Sequence, residues 1–490
     1  MDVLKRLFEQ HFHAPAERVE PLKGELGGSG RNLVRLTGAG HAAIGALYSV
    51  REENVAFLEF SRHFRRHGLP VPEIFAEDLN RDAYLEEDLG DTTLFEFLGA
   101  HRSGDAIAPE AVAAYRKVVA MLPRFQVEAG RGLNYKVCYP RSSFDRQSIA
   151  WDLNYFKYYF LRLAGVPFNE QALEVDFSRL TKLLLAAPRE YFLYRDFQSR
   201  NVMLREGQPW FLDYQGGRKG ALQYDIASLL YDAKADLPPA LRQRLLDHYL
   251  DTLAGCIDLD RAAFMEHYYA YVYARILQAL GAYGFRGFYE RKPHFLASVP
   301  YALKNLRWLR DNVRLPVALP ALLDALDAIG ASEKLGTHAA PAAGLTVRVF
   351  SFSFHHGLPA DEWGNGGGFV FDARSLPNPG REVEFRQLTG RDAPVREYLD
   401  RQPGVDEFLA HVSALVDASV AKYQQRGFSN LMVSFGCTGG QHRSVYLAER
   451  LAEHLRGTKG VEVEVRHTQL ERLGLERLGL EKLGQENAPL

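Results

Sequence analysis

The chain has 490 residues, 47% hydrophobic and 24% charged, with a formal net charge of -2. That length exceeds the roughly 250 to 300 residues at which one hydrophobic core stops growing, so two or three domains are expected. The near-neutral balance argues against strong nonspecific attraction to nucleic acid, no apolar run approaches the roughly 18 residues of a membrane span, and three scattered cysteines (Cys138, Cys256, Cys437) cannot build a disulfide framework, which points to the cytoplasm and away from the membrane.

The opening MDVLKRLFEQHF mixes charge with apolar positions at helical spacing and predicts a surface helix rather than a signal peptide. GELGGSGRNLVRL (24–36) then sets four glycines and a serine before an apolar strand, as a nucleotide-covering hairpin requires. Close approach of backbone amides to phosphate needs residues without bulk, so Gly27, Gly28, Ser29, Gly30, Arg31 and Asn32 are candidate nucleotide contacts. The next strand, HAAIGALYSV (41–50), has no lysine for the phosphates, which leaves Arg31 or Arg35 to serve, or a pseudokinase.

Strand-like sequence up to about Asp91 gives way to helical sequence such as DLNYFKYYFLRLA (152–164) and ALRQRLLDHYLDTLA (240–254), predicting a small β lobe over 1–92 and a helical lobe over 93–330. Within the latter, YRDFQSRNVMLREGQPWFLDYQG (194–216) is spaced for phosphoryl transfer: Asp196, Asn201 five residues on, a turn at Glu206 and Gly207, then an apolar strand running into Asp213. Asp196 can orient and deprotonate an attacking hydroxyl, while Asn201 and Asp213 offer hard oxygen ligands for magnesium on the phosphates of ATP. Asp152, Asn154 and Gln215 are candidate ligands of a small hydroxylated substrate.

GASEKLGTHAAPAAG (330–344) reads as a linker, with the break placed at 331–344. Beyond it, 345–354, 369–373, 430–436 and 461–467 look like strands with helical patterns between some of them, a compact α/β domain over 345–469. FGCTGGQHRSVYLAERLAEHL (435–455) runs from strand through a glycine-rich loop into an amphipathic helix bearing Leu447, Leu451 and Leu455 on one face. Amides at the helix start, with Cys437, Thr438, Gly439, Gly440, Gln441, His442, Arg443 and Ser444, form a candidate phosphate site. The spacing of Cys437 and Arg443 also matches cysteine-dependent phosphatases, and that alternative stays open. The chain closes in LERLG LERLG LEKLG (470–484), whose period of five suits neither helix nor strand, so 470–490 is expected to be a tail.

The 194–216 segment resembles the catalytic and metal-binding loops of the aminoglycoside phosphotransferase family, with Tyr194-Arg195-Asp196 where that family commonly has His-Gly-Asp. The resemblance implies an α+β protein-kinase-like bilobal fold, a hinge at Glu86, Glu87 and Asp88 beside the adenine, and Asp225 bracing the catalytic loop. Motif order over 1–330 is similar to the cell-wall kinases of N-acetylmuramate and N-acetylglucosamine, implying a sugar acceptor. Over about 345–470, the segments VFSFSFHHGLP, FVFDARSLPNPG, LTGRDAPVREYL, GCTGGQHRSV and VEVRHTQL resemble, in order, the C-terminal domain of the RNase adapter RapZ, implying an amino-sugar phosphate or RNA as ligand. With 14 Lys and Arg against 15 Asp and Glu over 345–468, the small phosphate is favoured over RNA.

Overall fold

The computed structural model describes residues 1–22, 31–104, 106–290, 293–332, 335, 345–361, 367–425, 428 and 430–474. Gly27, Gly28, Ser29 and Gly30 lie outside these residues, as do most of the expected linker and the tail from 475 onward. The chain divides into two compact units, Met1–Phe285 with Ser298–Thr337, and Arg286–Ala297 with His338–Leu490. The segment Arg286–Ala297, expected within the helical lobe, groups with the second unit.

The first unit begins with helix α1 (Asp2–Phe12), whose Leu4, Leu7 and Phe8 fall on one face and are buried. They pack on an antiparallel sheet of order β1-β2-β3-β5-β4, made by Arg18–Pro21, Asn32–Gly38, His41–Leu47, Ile74–Asp78 (β4) and Ala83–Glu87 (β5). Gly45 in β3 lets α1 approach, since a Cβ there would stand 2.9 Å from a Leu4 methyl and 2.7 Å from one of Leu36. Helix α2 (Arg51–Arg66) buries Phe57, Phe60 and Phe64. Phe57 stacks on Tyr214 at 5.1 Å and Phe64 meets Phe125 edge-on at 5.0 Å, so aromatic contacts fix the helix against the segment that carries Asp213.

The helical lobe follows. It holds α3 (Leu94–Ala100), started by a Thr93–Glu96 capping box, a two-residue hairpin (β6, Arg102–Ser103; β7, Ala106–Ile107), α4 (Pro109–Pro123), α5 (Arg146–Tyr155) and α6 (Glu170–Ala186). Short strands β8 (Tyr191–Leu193), β9 (Val202–Arg205), β10 (Gln208–Phe211) and β11 (Arg218–Gly220) carry the candidate catalytic segment. The β9–β10 hairpin turns on Glu206 and Gly207 at φ 53° and 70°, the left-handed pair a two-residue turn needs. Helices α7 (Gln223–Leu230), α8 (Pro239–Ala254), α9 (Arg261–Gly284), α10 (Val299–Asn312) and α11 (Pro320–Ala331) complete the lobe. Gly284 of α9 meets the Tyr159 carbonyl where a Cβ would stand 2.1 Å away, which any larger residue would prevent.

The second unit is an all-parallel sheet of order β13-β14-β12-β15, from β12 (Leu345–Ser353), β13 (Phe369–Asp372), β14 (Asn430–Cys437) and β15 (Val461–His467). Val347, Val349, Leu431, Val433 and Phe435 meet Leu447, Leu451 and Leu455 of the helix Arg443–Leu455 in its core. The architecture is thus an α+β bilobal domain followed by a smaller α/β domain. The first repeat of the expected tail is partly helical, because Thr468–Leu473 forms a short helix with Leu470 buried.

Candidate functional site

Strand β8 delivers the chain to the catalytic segment, and Asp225 on α7 holds it there. The Asp225 carboxylate accepts the backbone N–H groups of Tyr194 (2.9 Å) and Arg195 (3.0 Å) and the Gln126 side-chain amide (3.0 Å). Burial pushes this carboxyl up to about 7, against the pull of those three donors. Arg195 takes φ 81°, a conformation sustained by a bidentate pair to Asp152 (2.7 and 2.7 Å) and a bond to the Tyr224 hydroxyl (2.6 Å).

Asn201 then joins the two acids. Its Nδ2 donates to the Asp196 carbonyl at 2.8 Å and to Asp213 Oδ2 at 2.9 Å, while Gln215 Nε2 donates to Asp213 Oδ1 at 2.6 Å. Asp213 sits at φ 64°, where a non-glycine residue is uncommon. Burial and then the Asp213 charge raise the Asp196 carboxyl, while Arg195, Arg275 and Arg218 pull it down. The structure therefore brings Asp196, Asn201, Asp213 and Gln215 together.

Candidate nucleotide residues are distributed differently. Arg31 stands 4.0 Å from Asp213 and 3.4 Å from Glu53 of α2. Arg35 is committed to Asp88 (2.6 and 3.0 Å) and Asp91 (2.8 Å). Asn32 opens β2. The Glu86 side chain is buried with Oε2 lacking a hydrogen-bond partner among the described residues, and burial pushes its carboxyl up to about 8. Glu87 pairs with Arg205 at 2.7 Å. Contacts from this stretch to a base would thus fall to the backbone.

Of the candidate substrate ligands, Asp152 is held by Arg195, Asn154 lies half-buried on the same helix, and Gln215 keeps a buried Oε1 without a hydrogen-bond partner among the described residues. Sequence reasoning missed Glu53 and Arg218. Arg218 is buried and donates to the Gly216 carbonyl at 2.9 Å. An acid in the first turn of α2, a short way along the chain from Arg31, was the available signal for Glu53.

The donor set fits a nucleotide-borne divalent ion. Two adjacent hard-oxygen side chains suffice when phosphates supply further ligands, and among the described residues no group of three His, Cys, Asp or Glu could hold a metal on its own.

In the second unit the loop Cys437–His442 leads into the helix Arg443–Leu455, with Gly440 at φ 68°. Gln441 Nε2 donates to the carbonyls of Arg386 (3.0 Å) and Leu388 (2.7 Å), His442 Nε2 bonds the Phe385 carbonyl (2.8 Å), and Arg443 donates to those of Arg374 (3.0 Å) and Leu376 (2.9 Å). Burial lowers the His442 pKa, favouring its neutral form. Cys437 is buried, its Sγ 3.1 Å from Ser444 Oγ and accepting from the Gly440 N–H at 3.2 Å. Arg443 gives Nη1 to both of these carbonyls, while its Nε is buried with no hydrogen-bond partner among the described residues. Thr438 and Gly439 remain exposed at the loop's mouth.

Among the described residues, no helix is long and apolar enough to cross a membrane. A nucleotide-binding protein of Xylella fastidiosa (strain M23) is 46% identical over 127 residues, 26% of this chain and 42% of the relative. One of Thioalkalivibrio sulfidiphilus (strain HL-EbGR7) is 46% identical over 126 residues, again 26% and 42%. The chain thus spans less than half the length of these curated relatives. Among solved structures, the choline kinase LicA from Streptococcus pneumoniae is similar over 63% of this chain and 98% of its own at 14% identity, with a TM-score of 0.42. The aminoglycoside phosphotransferase APH(4)-Ia covers 64% and 99% at 14% identity, also with a TM-score of 0.42. Residues 26–265 match the phosphotransferase enzyme family and residues 345–471 match the RapZ C-terminal domain, so the chain joins a phosphotransferase-family domain to a RapZ C-terminal domain.

Proposed function

We propose that the first unit transfers the γ-phosphoryl group of ATP to a hydroxyl of a sugar or amino sugar, at the anomeric position. The observation that carries this reading is Asn201 donating at once to the backbone of Asp196 and the carboxylate of Asp213, which draws three oxygen-bearing groups to one point. Asp196 aligns the acceptor hydroxyl and takes its proton as the new O–P bond forms and the bond to the leaving diphosphate breaks. Its raised pKa makes it a better proton acceptor near neutral pH. Asn201 and Asp213 would hold magnesium, which draws charge off the phosphate oxygens. Arg195, braced by Asp152 and Tyr224, keeps the Asp196 backbone in place and lines the acceptor side with polar groups. Support for the sugar comes from the motif order over 1–330 and from these polar neighbours.

We further propose that the second unit holds a phosphorylated metabolite, an amino-sugar phosphate, at the Thr438–Gly440 loop. The helix start and the exposed Thr438 and Gly439 favour an anion there. The near balance of charge over this unit favours one small phosphate over RNA.

A screen of sugars, amino sugars and aminoglycosides with labelled ATP tests the first reading. Label should pass to a free or N-acetylated sugar with wild type and not with Asp196→Ala. Transfer by Asp196→Ala at the wild-type rate would reject it.

A further inference from the structure

We propose that Arg31 provides the phosphate-facing positive charge that kinases commonly take from a lysine on the third strand, with Glu53 of α2 anchoring it. This rests on the phosphotransferase reading of the first unit. Strand β3 (His41–Leu47) carries no lysine, so a triphosphate in this cleft needs its cation from elsewhere.

Arg31 answers in position and in unmet bonding. Its side chain is 6% exposed, with the guanidinium 5.0 Å from the Tyr48 ring centroid and 5.9 Å from that of Phe57. These rings and Glu53 hold the charge at the lip of the acidic site, 4.0 Å from Asp213. The partners present do not saturate it. The contact to Glu53 is long at 3.4 Å, that to Asp213 is beyond hydrogen-bond distance, and Nε is buried with no hydrogen-bond partner among the described residues. A buried guanidinium with spare donors is costly unless something completes it, and phosphate oxygens match its fork of N–H groups.

The other sequence candidate is already used. Arg35 gives Nε and one terminal nitrogen to Asp88 and reaches Asp91, which ties β2 to the stretch after β5. Arg31 and Glu53 thereby stand in for the strand-lysine and helix-glutamate pair, with the cation moved to the start of the neighbouring strand.

Binding of Mg-ATP and of adenosine to the full chain, measured by calorimetry, tests the assignment, because only the former carries phosphates. Arg31→Ala should weaken Mg-ATP by roughly 10- to 100-fold, the span of one hydrogen-bonded charge, while adenosine stays within about twofold. Arg31→Lys should recover part of the loss. An unchanged ratio of the two affinities in Arg31→Ala, or a selective loss of Mg-ATP in Arg35→Ala instead, overturns the assignment and leaves the phosphotransferase reading standing. Should Arg31→Ala lose both ligands, Arg31→Gln decides by the same ratio. A wild type that binds no Mg-ATP removes the phosphotransferase reading and this inference together.

Discussion

The two candidate sites are both strand ends crowded with polar residues, yet they spend those residues in opposite ways. In the first unit Asn201 and Gln215 donate to Asp213, whose side chain stays 37% exposed, so an acidic point is assembled and left open. In the second unit Gln441, His442 and Arg443 all turn to main-chain carbonyls between Arg374 and Leu388, so these three side chains pin the loop and Thr438 and Gly439 are left as its exposed residues. Spacing along a chain brings polar groups to one place, but the backbone bonds available nearby decide whether they serve a ligand or the fold.

The sharpest break of this contrast is at the open site. Asp196→Ala should lower turnover by about 10²- to 10⁴-fold, as loss of a positioned proton acceptor does, with Mg-ATP affinity largely intact by calorimetry. Glu86 comes next. Its folded form keeps the proton up to about 8 while the unfolded chain releases it near the ordinary glutamate value. Between those two values the folded state binds more protons, so stability is full at low pH and is lost as pH rises through about 8. Urea titrations from pH 5 to 8 should show a fall of which Glu86→Gln removes on the order of 3 kcal/mol, the remainder coming from groups such as Asp225 that are raised as well. Asp225→Ala leaves the Tyr194 and Arg195 amides without their acceptor and should cost about 2 to 3 kcal/mol in the same titration, with turnover falling too. The smallest effect belongs to the pinned loop. Arg443→Met should destabilise by about 1 to 2 kcal/mol, read by thermal melting of the full chain, as two carbonyls lose a donor.

Much of the architecture was legible in the sequence. The four strands of the second unit fall where alternating or continuous apolar runs put them, and Leu447, Leu451 and Leu455 share one buried helix face. The Asp196, Asn201 and Asp213 set is close in sequence, joined by a two-residue hairpin, so its convergence could be argued from the turn alone. What stayed hidden depended on partners far along the chain. The Arg195–Asp152 pair spans 43 positions and Arg31–Glu53 spans 22, and neither has a local pattern. Likewise, nothing in GCTGGQHRSV states that carbonyls some 55 to 70 residues earlier occupy its Gln, His and Arg. The helical turn at Thr468–Leu473 arose because Leu470 finds a buried seat, a tertiary effect that a five-residue repeat cannot announce.

The proposed convergence of Asn201 and Asp213 on a divalent ion can be tested without any acceptor. Manganese binding to the full chain is followed by electron paramagnetic resonance with and without ADP. The site described here predicts that ADP tightens manganese binding in wild type and that Asp213→Asn loses at least about tenfold of it. Nucleotide-dependent manganese binding of equal strength in the variant would contradict it.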